Sequence, residues 1–129
     1  MPRNHSDSVA ASDQRNADRE RTASERLRGL GGDRIPAPPW RPATVPHSAV
    51  DLVQLALWRS QSLDRDEVGA ALSLLPAARA EVDGLETGML FVARSAGMTW
   101  AQIADAMGFN SPQACQQHFQ RLAARSEAR

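Results

Sequence analysis

Four glutamines stand at positions 113, 116, 117 and 120 of this 129-residue chain. On a helix of 3.6 residues per turn these spacings gather all four amides into an arc of about 100°. Cys115, Phe119 and Leu122 fall on the opposite side, which predicts an apolar face turned inward and an amide face turned to water. A glutamine side chain can bond an adenine edge bidentately at N6 and N7, and an arginine can do the same at guanine O6 and N7. Gln113, Gln116, Gln117 and Gln120 are therefore the candidate base-reading residues. Ser111, together with the free amides of a helix that begins there, can hold a phosphate. Asn110, Ser111, Arg121 and Arg125 are the candidates for the nucleic-acid backbone. Thr99 and Trp100, at the start of the preceding segment, join that set, with the indole N–H of Trp100 as a phosphate donor.

Other chemistry finds less support. Cys115 and His118 have i, i+3 spacing, but nothing nearby completes a coordination sphere, and Cys115 points at the core. They are expected to be a packed thiol and a boundary histidine. One cysteine excludes an internal disulfide and any site needing two. Glu81, Asp83 and Glu86 spread round a helix and are expected to form a solvated face. His5 and His47 lie in the N-terminal segment without partners. There is no glycine-rich loop after a strand, no Ser/His/Asp set and no cofactor signature. Neither an enzyme nor a metal or cofactor site is expected.

The elements that must position these residues are helical, since no stretch alternates for long and the chain has no tyrosine. Ser48 caps a helix reaching about Ser60, with Asp51 in its first turn. Its apolar residues Ala49, Val50, Leu52, Val53, Leu55, Ala56, Leu57 and Trp58 cover most of the circumference. Such a helix needs cover on more than one side, from its own domain or another subunit. Asp64 and Glu67 open a second helix as a capping box. Pro76 starts a third, running to Ala96, with Val82, Leu85, Met89, Leu90, Ala93 and Ala96 as its inward stripe. Gly97 stops it. Thr99 and Gln102 form another capping box, so a fourth helix begins at Trp100, turns Ile103, Ala104 and Met107 inward, and ends at Gly108. Ser111 as N-cap and Pro112 in the first turn open the fifth, which runs to about Arg125.

Residues 99–122 thus have the logic of a helix-turn-helix. Ala104 is small enough for a close helix crossing, and Gly108 tolerates the positive φ of the bend. Phe109 plugs the space beneath it. The segment TWAQIADAMGFNSPQACQQHFQRL resembles the helix-turn-helix of bacterial transcription regulators, and LLPAARAEVDGLETGMLFVARSAGMTWAQIADAMGFNSPQACQQHFQRL resembles small actinobacterial helix-turn-helix proteins. The longer stretch is also similar to region 4 of RNA polymerase sigma factors. The likeness covers roughly residues 48–125 and is most specific over 97–122. It departs in the turn, where Phe109-Asn110-Ser111 is one residue longer than the commonest spacing. Nothing resembles sigma region 2, so a complete sigma factor is not expected. The resemblance implies an all-α fold with a C-terminal trihelical helix-turn-helix, double-stranded DNA as partner, and a role in transcriptional regulation. The alternative is a protein-interaction module docking on RNA polymerase or another regulator.

Composition divides the chain. Only 13 of the first 47 residues are apolar, against 41 of the remaining 82, so only the second part is expected to bury a core. Residues 1–47 therefore read as a disordered Arg/Pro-containing arm and linker. Residues 48–129 read as one helical domain, with 48–75 for packing or dimerisation and 77–125 carrying the helix-turn-helix. The 15 cations, all arginine, balance 15 acids, so global charge selects no partner. Residues 98–129 carry Arg121, Arg125 and Arg129 against Asp105 and Glu127, which makes a single copy a weak phosphate binder. A homodimer through the apolar 49–58 helix, the arginines of the arm, or both would have to supply the deficit. No apolar run spans a bilayer and the first residues lack a signal core, so the expected location is cytoplasmic, at the nucleoid.

Overall fold

The computed structural model describes residues 5–42, 45 and 47–128. Secondary structure among these residues is entirely helical. The α-helices are α1 (His5–Gly29), α2 (Ala49–Trp58), α3 (Arg65–Ser73), α4 (Leu75–Ser95), α5 (Trp100–Met107) and α6 (Pro112–Glu127), with two 3₁₀ turns at Gly32–Arg34 and Ser60–Ser62. The five helices expected after His47 are present as α2–α6. Their start signals act as expected: Ser48, Asp64, Thr99 and Ser111 each accept a backbone N–H from three residues on, and Asp64 and Thr99 belong to complete capping boxes. The chain divides into two compact units between Glu81 and Val82, inside α4 rather than at the expected linker.

In the first unit, α1 corrects the expectation of a disordered arm over 1–47 for residues 5–29, while positions 1–4, 43, 44 and 46 of that expectation lie outside the described residues. Positions 5–29 form a 25-residue helix. Asp7 sits in its first turn and Arg26 and Arg28 in its last, each on the side that the helix dipole favours. Asp18 accepts from Gln14 and, at 2.8 Å, from Arg21, pairs spaced to staple one helical face. Most of α1 faces water, but Ala23 and Leu27, four residues apart, are buried against Ala49, Leu52, Ala56 and Leu74. Few hydrophobes suffice because they are concentrated at one end. The other α-helices of this core are α2, α3 and the first turn of α4, whose Ala77 and Ala78 pack against it, so the apolar breadth of 49–58 is met largely inside the chain. Leu57 and Trp58 remain exposed.

Described residues around the prolines are tied to this unit by hydrogen bonds. Arg41 bonds Asp51 at 2.8 Å, and His47 Nε2 donates to the Ile35 carbonyl at 2.6 Å. Arg59 donates to the Leu30 carbonyl. Gly32 lies so close to the core that a Cβ there would sit 2.7 Å from Leu52 Cδ2. Glu81 is not a solvated acid either. Its carboxylate accepts from the backbone N–H groups of Ala49 (2.6 Å) and Val50 (3.3 Å), meeting free donors at the positive end of α2.

The second unit comprises α4 from Val82 onward, α5 and α6. Ile103, Ala104, Cys115, Phe119 and Leu122 are buried together, with Leu90, Ala93, Met98, Trp100 and Phe109 packed round them. Five members of the expected core lie elsewhere. Met107 is exposed, and of the stripe foreseen on α4 only Leu90 and Ala93 turn inward while Val82, Leu85, Met89 and Ala96 face solvent. The reason is that α4 is apolar over too much of its circumference for one packed face. The side closing this core runs through Glu86, Leu90 and Ala93, and a second apolar seam is left about a quarter-turn away.

Candidate functional site

The geometry of α5, the bend and α6 follows from three local devices. Thr99 Oγ1 accepts from Gln102 N at 3.1 Å while Gln102 Oε1 accepts from Thr99 N at 2.8 Å, which fixes the start of α5. Gly108 ends it at φ 81° and ψ 20°. In that conformation Gly108 N reaches the Asp105 carbonyl at 3.2 Å and Phe109 N reaches the Ala104 carbonyl at 2.8 Å, closing the last turn. Ser111 Oγ then accepts from Ala114 N at 3.1 Å, and Pro112 occupies the first turn of α6. Ala104, the small residue expected at the close approach, is buried.

Core packing fixes how α6 is rotated. Cys115, Phe119 and Leu122 are all buried. Gln113, Gln116, Gln117 and Gln120 are all exposed. Between Gln113 and Gln120 the helix rises about 10 Å, so the amides form one short row. Each amide has two donors and a two-lone-pair acceptor, and a row of them can grip a surface that presents both kinds of group.

The remaining candidates differ in what they are free to do. Asn110 is exposed beside the start of α6, and Ser111 is half-buried with its oxygen used as the cap. The Ser111 hydroxyl can still donate while its oxygen accepts, and the same holds for Thr99 at α5. Arg121 is exposed, and its Nε reaches the Gln117 carbonyl at 3.3 Å. Arg125 approaches Asp83 at 3.8 Å and stays largely exposed, a contact loose enough to exchange for another anion. Trp100 is half-buried rather than free. Its ring lies 6.1 Å from Phe119, and the Arg94 guanidinium sits 5.3 Å from the ring centroid.

Residue-type reasoning missed a histidine–carboxylate hydrogen bond at the back of the site. His118 Nε2 lies 2.7 Å from Glu86 Oε2, and the imidazole packs between Phe109 (5.2 Å) and Phe119 (5.3 Å). Glu86 and Asp83 thus hold α6 instead of forming a solvated face. The i, i+4 relation of Glu86 to Leu90 on the inward side of α4 was the available signal. Burial pushes the Cys115 thiol above its usual range, as expected of a packed side chain. Among the described residues no group of three or more His, Cys, Asp or Glu is placed to hold a metal, and no helix is long and apolar enough to cross a membrane. No family model, curated protein or solved structure matches this chain.

Proposed function

We propose that the protein binds double-stranded DNA through α5, the bend at Gly108 and α6, acting as a helix-turn-helix in which α6 enters the major groove. The trihelical arrangement is completed by α4 from Val82 onward. The observation that carries this reading is the outward row of Gln113, Gln116, Gln117 and Gln120 on a helix whose opposite face is buried. The major groove is wide enough for one α-helix, and each base pair presents its own set of donors and acceptors there. A rise of about 10 Å matches roughly three base-pair steps of 3.4 Å. Gln113, Gln116, Gln117 and Gln120 read base edges in this arrangement. Asn110, Ser111, Arg121 and Arg125 hold phosphates, with Thr99 and Trp100 at the edge of the contact. Regulation of transcription at the nucleoid is the biological role that fits.

Charge sets the strength. With Arg121 and Arg125 as the main cations on this face, each copy releases about two counterions. The logarithm of the binding constant should then fall with the logarithm of salt concentration at a slope near −2 per copy. Fluorescence anisotropy on a random duplex pool, followed by selection of bound sequences, tests this directly. The Gln113→Ala/Gln117→Ala variant should lose sequence preference, at roughly 1–3 kcal/mol for each good contact. Unchanged binding and preference in that variant would remove α6 as the reading helix. Absence of DNA affinity at low salt, with RNA polymerase or another regulator retained after nuclease treatment, would replace this function by protein docking.

A further inference from the structure

The outward side of α4 is the least expected surface of the second unit. Val82, Leu85, Met89 and Val92 are 46%, 70%, 65% and 55% exposed. Their intervals are three, four and three residues, the a/d spacing of a coiled-coil seam. Met107 of α5 (43% exposed) borders the seam on the side of the second core. Between α4 and α5 runs an apolar groove of about 370 Å³, whose walls include Val82, Leu85, Met89, Ala106 and Met107. Isolated soluble chains seldom leave so continuous an apolar face in water.

We infer that this face pairs with the same face of a second copy of the chain, with the two α4 helices antiparallel. The seam is its own mirror, because intervals of three, four and three read the same in both directions. Reversal places Val82 against Val92 of the second copy and Leu85 against its Met89, so every layer joins side chains of similar size. Charge points the same way. Partner choice in such seams is set by charges at the flanking positions. The flanks here are Glu81, Glu86, Gly88, Ala93 and Ser95; the Glu81 carboxylate accepts from the Ala49 and Val50 N–H groups, and Glu86 is held by His118 of its own chain. Both flanking carboxylates are engaged within the chain, and no cation stands at these flanks to attract a nucleic acid.

Gly88 flanks the seam on α4, and an added Cβ there would meet nothing within 4 Å. Glycine weakens a helix interior, and here it lets a second backbone come close. The area is sufficient. The five exposed side chains of this face, Val82, Leu85, Met89, Val92 and Met107, offer on the order of 100 Å² each, hence roughly 1,000 Å² over both copies, the lower limit for a specific interface. This pairing moves the expected dimer contact from the 49–58 helix to α4. It does not depend on DNA binding.

Sedimentation of the full chain between about 1 and 100 µM is the test. The expected result is a species of twice the 14.0 kDa chain mass. Leu85→Glu/Met89→Glu should sediment as a monomer with its far-ultraviolet dichroism unchanged, because both side chains are already in water in the single chain. Trp58→Glu, on the exposed end of α2, should still dimerise. A wild-type chain that stays monomeric at 100 µM overturns the inference, as does a dimer that survives the double substitution. If that variant fails to fold, wild-type hydrogen exchange decides. Amides 84–92 should gain protection as concentration rises, and protection independent of concentration overturns the pairing.

Discussion

Replacing Leu27 by alanine separates a docked N-terminal helix from a loose arm. Leu27 is fully buried, and Ala23 is the other buried residue of α1. The ion pair at the same end, Arg26 to Asp64, is 3.6 Å long between side chains 46% and 60% exposed, so it contributes little. The attachment of α1 therefore rests on one leucine and one methyl group. Truncating a buried leucine removes its transfer free energy and leaves a cavity against Leu52 and Leu74, for a loss of about 2–5 kcal/mol. We expect about 3 kcal/mol, because the exposed side of α1 lets the site partly collapse. The consequence extends beyond the cavity. A mostly solvated helix is marginal by itself in water, so undocking should also melt it. As α1 supplies 25 helical residues, circular dichroism at 222 nm should fall visibly. Urea unfolding gives the free energy, and hydrogen exchange locates the effect in residues 5–29 while amides of α6 keep their protection. A Leu27→Ala protein within 0.5 kcal/mol of wild type, with unchanged exchange in α1, would refute the docking and restore the arm that composition suggests.

Two further substitutions or reactions probe the second unit. Gly108→Ala should destabilise by about 1 kcal/mol, since φ 81° costs any side-chain-bearing residue while the space for a Cβ is open. Gly108→Asn should recover part of that loss, and a neutral Gly108→Ala in chemical denaturation would contradict a bend set by backbone conformation. Cys115 has no exposed surface, and burial holds its thiol protonated, so a thiol reagent should react at a rate that follows unfolding. Rapid labelling of the folded chain at neutral pH would show that the core of α5 and α6 is open.

What could be read in advance was whatever depends on neighbours in sequence. Caps at Ser48, Asp64, Thr99 and Ser111, the stop at Gly108 and the rotation of α6 are decided within a few residues, and each is found. Contacts between distant segments were not legible. Leu27 looked like an isolated hydrophobe in a polar tract until α2 and α3 were placed beside it. Glu81 and Glu86 looked solvated because their partners, the start of α2 and His118, lie more than 30 residues away in sequence. The stripe on α4 failed for another reason. Val82, Leu85 and Met89 obey one helical period and Glu86, Leu90 and Ala93 another, and periodicity cannot say which of two adjoining faces turns inward.

That ambiguity ties the two proposals together physically. Val82–Arg129 carries as many acids as arginines, and Asp83 already draws Arg125 toward α4. A single copy reaching DNA through α6 gains few phosphate contacts, and amide-to-base bonds alone replace water bonds of similar strength. Doubling the face doubles the counterions released and makes the second contact intramolecular, which raises affinity without any new side chain. A helix carrying two apolar faces suits such an arrangement. One face closes the core that sets the rotation of α6, and the other joins the copies, so recognition and association depend on the same stretch of helix from Val82 to Ser95. Loss of the outward seam should then weaken DNA binding and halve its salt dependence while leaving base preference intact, whereas loss of the glutamines should do the reverse.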